Sequence, residues 1–187
     1  MNIVVRELNP NMADDYIDFF EQRAFSDGSP DKGCYCVWHH WTQKHESDRS
    51  KLPANERHFS KRNYAVELIK NNIMHGFVAY DEDRMVGFCN ANLKDHYFRL
   101  NRENEKIFAM VCFTVDPDCR GKGIAKKLLE YACEYTQKNG YDYIESYPAN
   151  GEFKTTNCCG NRSMYEALGF EIICNKDGII ARKKCRE

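Results

Sequence analysis

The chain has 187 residues, 42% hydrophobic and 29% charged, and 27 Lys plus Arg against 28 Asp plus Glu leave a formal net charge of -1. At this length one domain with a full core is expected, and the composition excludes a disordered chain, a collagen and a coiled-coil rod. The balanced charge, with no basic stripe, argues against nucleic acid as a partner.

Asn2 to Leu8 sets Ile3 and Val5 against polar neighbours and reads as a strand. Asn9-Pro10-Asn11 is a turn, with Asn11 able to cap a helix from Met12 to Phe25 whose apolar positions are Tyr16, Phe19, Phe20 and Ala24. Asp27-Gly28-Ser29-Pro30 breaks it. Gly33 to Trp41, with Cys34, Tyr35, Cys36, Val37, Trp38, His39 and His40, follows neither period, and Thr42 to Leu52 reads as a loop or irregular helices. Pro53 opens a helical stretch to Asn71, with Phe59, Val66 and Ile69 on its inner side. Two hairpin strands follow, at 75–80 and 85–93, around Asp81-Glu82-Asp83-Arg84. After a charged stretch from Lys94 to Glu105, Ile107 to Val115 is apolar on both faces, as a central strand must be.

Gly121 to Asn139 is the clearest helix, with Ala125, Leu128, Leu129, Ala132 and Thr136 inside and Gly140 just past its end. Tyr141 to Tyr147 is a strand, Pro148 to Gly160 a loop, and Asn161 to Leu168 a short helix. A hairpin of Phe170–Cys174 and Ile179–Lys183 turns at Asn175-Lys176-Asp177-Gly178. The fold class is therefore α/β, a single domain over 1–187 built as helices around one mixed sheet.

Ten cysteines in 187 residues fall below the roughly 8–10% of a small disulfide scaffold. No charged-then-apolar leader follows Met1, and the longest apolar run, Ile107 to Phe113, is far short of the ~20 residues of a membrane span. These features predict a cytoplasmic protein with reduced thiols and no membrane partner.

The chemistry is concentrated where the buried strand ends, at Val115-Asp116-Pro117-Asp118-Cys119-Arg120-Gly121-Lys122-Gly123-Ile124-Ala125. Amides at such a helix start have no intrahelical acceptor, and glycines let a phosphate come close, so the junction suits a pyrophosphate. A plain capping turn reads the same way on physics alone. Neither the Walker spacing nor the dinucleotide fingerprint is present.

At these residues the chain resembles the GNAT superfamily of N-acetyltransferases, whose pyrophosphate motif Gln/Arg-x-x-Gly-x-Gly/Ala is matched by Arg120, Gly123 and Ala125. The run Ser163-Met164-Tyr165-Glu166-Ala167-Leu168-Gly169-Phe170 is similar to the family's Tyr-x-x-x-Gly-Phe block. The resemblance implies a mixed sheet with a splayed central parallel pair, ending near Val115 and Tyr147, flanked by helices on both faces. It implies that acetyl-CoA binds to residues 107–174, with the backbone of Phe113 and Val115 along the pantetheine arm. Arg120, Gly121, Lys122, Gly123, Ile124 and Ala125 would hold the pyrophosphate. Residues 1–73 would form the acceptor side. Tyr165 would protonate the departing thiolate. Many relatives carry Asn seven residues before the tyrosine, where this chain has Cys158.

The attacking amine needs a proton acceptor. Glu145, beside the implied gap, is the first candidate, with Glu105 and His96 behind it. Tyr35, Trp38 and Trp41 are candidates for an acceptor pocket holding a flat or cationic group, and core packing is the competing reading. Cys34-x-Cys36 with His39, His40 and His45 lacks the spacing and second pair of a zinc site, so no metal is expected. The function implied is acetyl transfer from acetyl-CoA to a primary amine of a small molecule or peptide by direct attack. A non-catalytic acyl-CoA-binding or sensor domain is the alternative. A homodimer stays open.

Overall fold

The computed structural model describes residues 1–148, 158–175 and 178–186. Seven strands form one sheet: β1 Ile3–Glu7, β2 Gly76–Asp81, β3 Arg84–Leu93, β4 Ile107–Val115, β5 Tyr143–Ser146, β6 Glu171–Asn175 and β7 Gly178–Lys184. Their order is β1-β2-β3-β4-β5-β7-β6. Every pairing is antiparallel except β4 with β5.

Strand alternation divides the core in two. Phe77 and Ala79 of β2 turn to one face, where α4, Ile124–Lys138, buries Ile124, Leu128, Leu129 and Ala132. Val78 and Tyr80 turn to the other, against Tyr16 and Ile17 of α1 (Ala13–Asp18) and Ala65, Leu68 and Ile69 of α3 (Ala54–Lys70). Two short helices, α2 Gln43–Lys51 and α5 Arg162–Glu166, complete the set.

The structure departs from the periodicity at four places. The helix expected over Met12–Phe25 is three pieces: a 3₁₀ turn Pro10–Met12, α1, and a π turn Phe19–Arg23. The wider turn, closed by Ala24 N–H to the Phe19 carbonyl at 2.9 Å, lets the adjacent Phe19 and Phe20 both face inward. The capping side chain is Asn9, which accepts from the Asn11 amide, and not Asn11. α2 is a regular helix where a loop or irregular helices were expected, capped reciprocally by Thr42 and His45, and it buries no residue. Phe59, expected on the inner side of α3, is 51% exposed. The strand expected over Tyr141–Tyr147 is paired only as β5, and most of the Pro148–Gly160 loop, like the centre of the last turn, lies outside the described residues.

Candidate functional site

The parallel pairing stops early. Its register runs from Ile107↔Tyr143 to Met110↔Ser146, and β4 then continues to Val115 paired only with β3. At the last paired position the Ser146 hydroxyl donates to the Met110 carbonyl at 3.0 Å. Beyond it a gap opens on the β5 side of β4. Phe113 N–H points into this gap and donates to the Cys158 carbonyl at 2.5 Å. Asp116 N–H turns the opposite way, to the Val86 carbonyl on β3, so the backbone of Val115 faces the gap as Phe113 does.

β4 leads into a tight turn. Buried Asp116 accepts from the Asp118 amide at 3.0 Å and from Arg84 at 3.3 Å, fixing the strand exit. Gly121 and Gly123 then take left-handed φ of 74° and 80°. No heavy atom lies within 4 Å of a Cβ built on either. Ile124 anchors the helix start: a Cβ on Gly87 of β3 would come 2.8 Å from its Cγ2. Lys127 N–H bonds back to the Gly123 carbonyl at 3.0 Å, and amides ahead of it in the first turn have no intrahelical acceptor. Lys122 Nζ is drawn back to the Asp118 carbonyl, and Arg120 pairs with Asp27, holding that carboxyl below its usual range through the hydrogen bond.

A groove of about 650 Å³ runs from this turn along β4. Arg120, Gly121 and Ala125 of the turn, Phe113 and Val115 of β4, and Asp31, Trp38 and His39 of the N-terminal half line it. Lys122, Gly123 and Ile124 belong to the turn without lining the groove. Of the three aromatic pocket candidates only Trp38 lines it. Trp38 is exposed, with the Arg99 guanidinium 3.9 Å over its ring. Tyr35 is buried with its hydroxyl 3.3 Å from Glu21, and Trp41 is buried with its indole N–H on Glu46 at 2.9 Å, so both are packing residues.

Tyr165 is fully buried and its hydroxyl sits at the apex of the gap, 2.6 Å from Ser146 Oγ and 2.5 Å from the Cys159 carbonyl. Burial pushes its phenol well above the usual value, so it stays protonated.

Glu145 is also fully buried, and it is not among the residues that line the groove. It accepts from Lys94 at 2.8 Å, from Tyr147 at 2.9 Å and from Arg182, so it is held in a buried ion-pair group. Glu105 and His96 are exposed and outside the groove. The imidazole that does line it is His39. Its Nδ1 is buried with no hydrogen-bond partner among the described residues. Burial, then the nearby Arg99 charge, lowers its pKa to about 4, so the ring is neutral at pH 7. The sequence marked the Trp-His-His-Trp segment but offered no period to say which histidine faces inward.

Residues 72–172 match the family model described as an acetyltransferase (GNAT) domain. The chain belongs to the GNAT family. No curated protein matches its sequence. Among solved structures this GNAT domain is similar to the PaiA N-acetyltransferase of Thermoplasma acidophilum in complex with coenzyme A, at 17% identity and TM-score 0.53 over 98% of this chain and 99% of that one. The ribosomal-protein-S5-alanine acetyltransferase of Vibrio fischeri is similar at 16% identity and TM-score 0.59, over 100% and 95%. An N-acetyltransferase of Staphylococcus aureus follows at 13% and 0.56, over 100% of both chains. At these identities the likeness is one of fold. No helix among the described residues is long and apolar enough to cross a membrane, and no group of three or more His, Cys, Asp or Glu among them is placed to hold a metal.

Proposed function

We propose that this protein transfers the acetyl group of acetyl-CoA to a primary amine of a small molecule or peptide by direct attack. The observation that carries the reading is one groove that the glycine turn at the start of α4, the part of β4 that β5 leaves unpaired, and a neutral imidazole all line. The open space before Gly121 and Gly123 fits a pyrophosphate, which a Cβ or a carboxylate there would obstruct. Acetyl-CoA supplies a thioester whose carbonyl carbon takes the amine and whose thiolate leaves.

The chain's own groups then have separable tasks. Amides of the 120–125 turn hold the pyrophosphate, and the backbone of Phe113 and Val115 pairs with the pantetheine arm once Cys158 releases Phe113. Tyr165 gives a proton to the thiolate. His39 takes one from the amine, a role that passes to it from Glu145 because a base must be deprotonated and within reach of the groove, which His39 lines and Glu145 does not. Asp31, half-buried and facing the groove, biases it toward cationic acceptors. On this reading residues 1–73 supply the acceptor side and 107–174 the cofactor side.

A second reading has one observation in its favour: the Cys158 and Cys159 carbonyls already satisfy Phe113 N–H and the Tyr165 hydroxyl. A domain that only binds acyl-CoA would keep such bonds at no cost. A thiol-release assay across a panel of amines decides between them. Release above the hydrolysis background with at least one amine supports transfer. Tight CoA binding with no release for any amine supports the second reading.

A further inference from the structure

The groove's floor carries a thiol cluster that acetyl transfer does not use. Cys36 and Cys112 both line it, and their Sγ atoms are 2.8 Å apart. A disulfide needs about 2.05 Å, so a small approach would join them. The contact is imposed. Tyr35 and Cys36 both hold left-handed φ, 45° and 44°, a conformation that neither side chain favours. A buried network keeps them there. Tyr16 donates to the Tyr35 carbonyl at 2.9 Å, Asn90 Nδ2 to the Cys36 carbonyl at 2.8 Å, and Tyr97 to Asn90 Oδ1 at 2.7 Å. Strain held in this way marks a functional position, and here its product is a thiol aimed at β4.

A third thiol gives access. Cys158 is exposed, lines the same groove and lies beside Cys112. The Cys112 and then the Cys159 thiol donate to it, and these hydrogen bonds hold its pKa well below the ordinary thiol range. Cys36 is pushed well above that range by burial, and Cys112 by its bonds to Cys158 and Cys36. One exposed thiolate therefore lies beside one member of a buried thiol pair, the arrangement of a sensing cysteine with its resolving partner.

We propose that Cys36 and Cys112 form a reversible oxidation site, closed to a disulfide by a hydroperoxide that enters through Cys158. The Cys158 thiolate attacks the peroxide oxygen; an S–O bond forms, the O–O bond breaks, and the departing oxygen takes a proton from solvent and leaves as water or alcohol. Cys112 then attacks the Cys158 sulfenic sulfur, and hydroxide leaves with the Cys112 proton as water. Cys36 attacks Cys112, its proton goes to solvent, and Cys158 returns as thiolate. Over the sequence two thiols lose two hydrogens and two electrons to one peroxide. The bond ties the loop that carries Trp38 and His39 to β4.

The test is hydrogen peroxide treatment of the full chain, alkylation of free thiols, and peptide mass spectrometry without reductant. A cross-link between the Cys36 and Cys112 peptides, reversed by dithiothreitol, is expected. Cys158→Ser should slow its formation by about tenfold or more and leave the same end product. Cys36→Ser should accumulate a Cys112–Cys158 link. The proposal is overturned if Cys36 and Cys112 in the wild type stay alkylatable while other cysteines oxidise. It is also overturned if Cys158→Ser closes the pair at the wild-type rate. The wild-type readout requires no variant to fold and no acetyl transfer to occur.

Discussion

The Tyr165 hydroxyl shares two protons among three contacts. Its own and that of Ser146 must serve the Tyr165–Ser146, Tyr165–Cys159 and Ser146–Met110 pairs. One contact is therefore always without a proton, and a thiolate arriving at the apex would accept the Tyr165 hydrogen bond in place of the Cys159 carbonyl. Tyr165→Phe removes the hydroxyl and keeps the ring against Phe170, 5.4 Å between centroids. We expect kcat to fall by roughly ten- to a thousand-fold and CoA affinity to stay within a few-fold, read by steady-state kinetics beside calorimetry. An unchanged kcat with chemistry rate-limiting would make Tyr165 a packing residue. His39 and His40 give a second expectation. Burial lowers both from 6.5 to about 4. Between these values the unfolded chain binds more protons than the folded one, so stability rises with pH. It should be fully present above 6.5 and be lost as pH falls through 4, a slope visible in urea unfolding across that range. His40→Gln, outside the groove, should flatten the slope; a slope unchanged in that variant would assign it to other groups.

The start of α4 carries the cofactor reading, and it is where a single glycine decides. Gly123 pairs a left-handed φ with open space in front of it. Gly123→Glu would add about 1 kcal/mol of backbone strain and set a carboxylate where the proposed site holds the phosphates. Acetyl-CoA should raise the melting temperature of the wild type and leave the variant's unmoved; a wild-type-sized shift in the variant would remove the pyrophosphate from this turn. This element was legible in the sequence because strand, glycine turn and amphipathic helix are contiguous, and β4 because nearly every position in it is buried. α2 was not, since it buries nothing and has no apolar period to show. The site's acceptor end was not either. The loop bearing Trp38 and His39 is set by left-handed residues and long-range hydrogen bonds, and local spacing carries no trace of these. Glu145 looked like a base for the same reason. Its partners Lys94 and Arg182 are 51 and 37 residues away along the chain, and only the fold brings them together.

Those partners matter to the whole molecule. Lys94 follows β3, Glu103 lies in the connection to β4, Glu145 is on β5 and Arg182 on β7. Their charges cancel: two cations face two carboxylates, with Glu145 fully buried and the Lys94 side chain only 6% exposed. The group ties the long β3–β4 connection to the C-terminal hairpin, across the paired end of the parallel strands, and none of its members lines the groove. Removing one member leaves the others buried without full compensation, and such losses run to about 3–5 kcal/mol. Glu145→Gln keeps the shape and can still accept from Tyr147, but Lys94 and Arg182 must then share Glu103. We expect it to lose about 3 kcal/mol of unfolding free energy, read as a lower urea midpoint. Its kcat, measured well below that midpoint and corrected for folded fraction, should stay within about twofold of wild type. The opposite result, full stability with kcat reduced a hundredfold or more, would return the base to Glu145 and take it from His39. The two readings separate because an ion pair that holds strands together acts on the folded fraction, and a proton acceptor acts on the rate of each folded molecule.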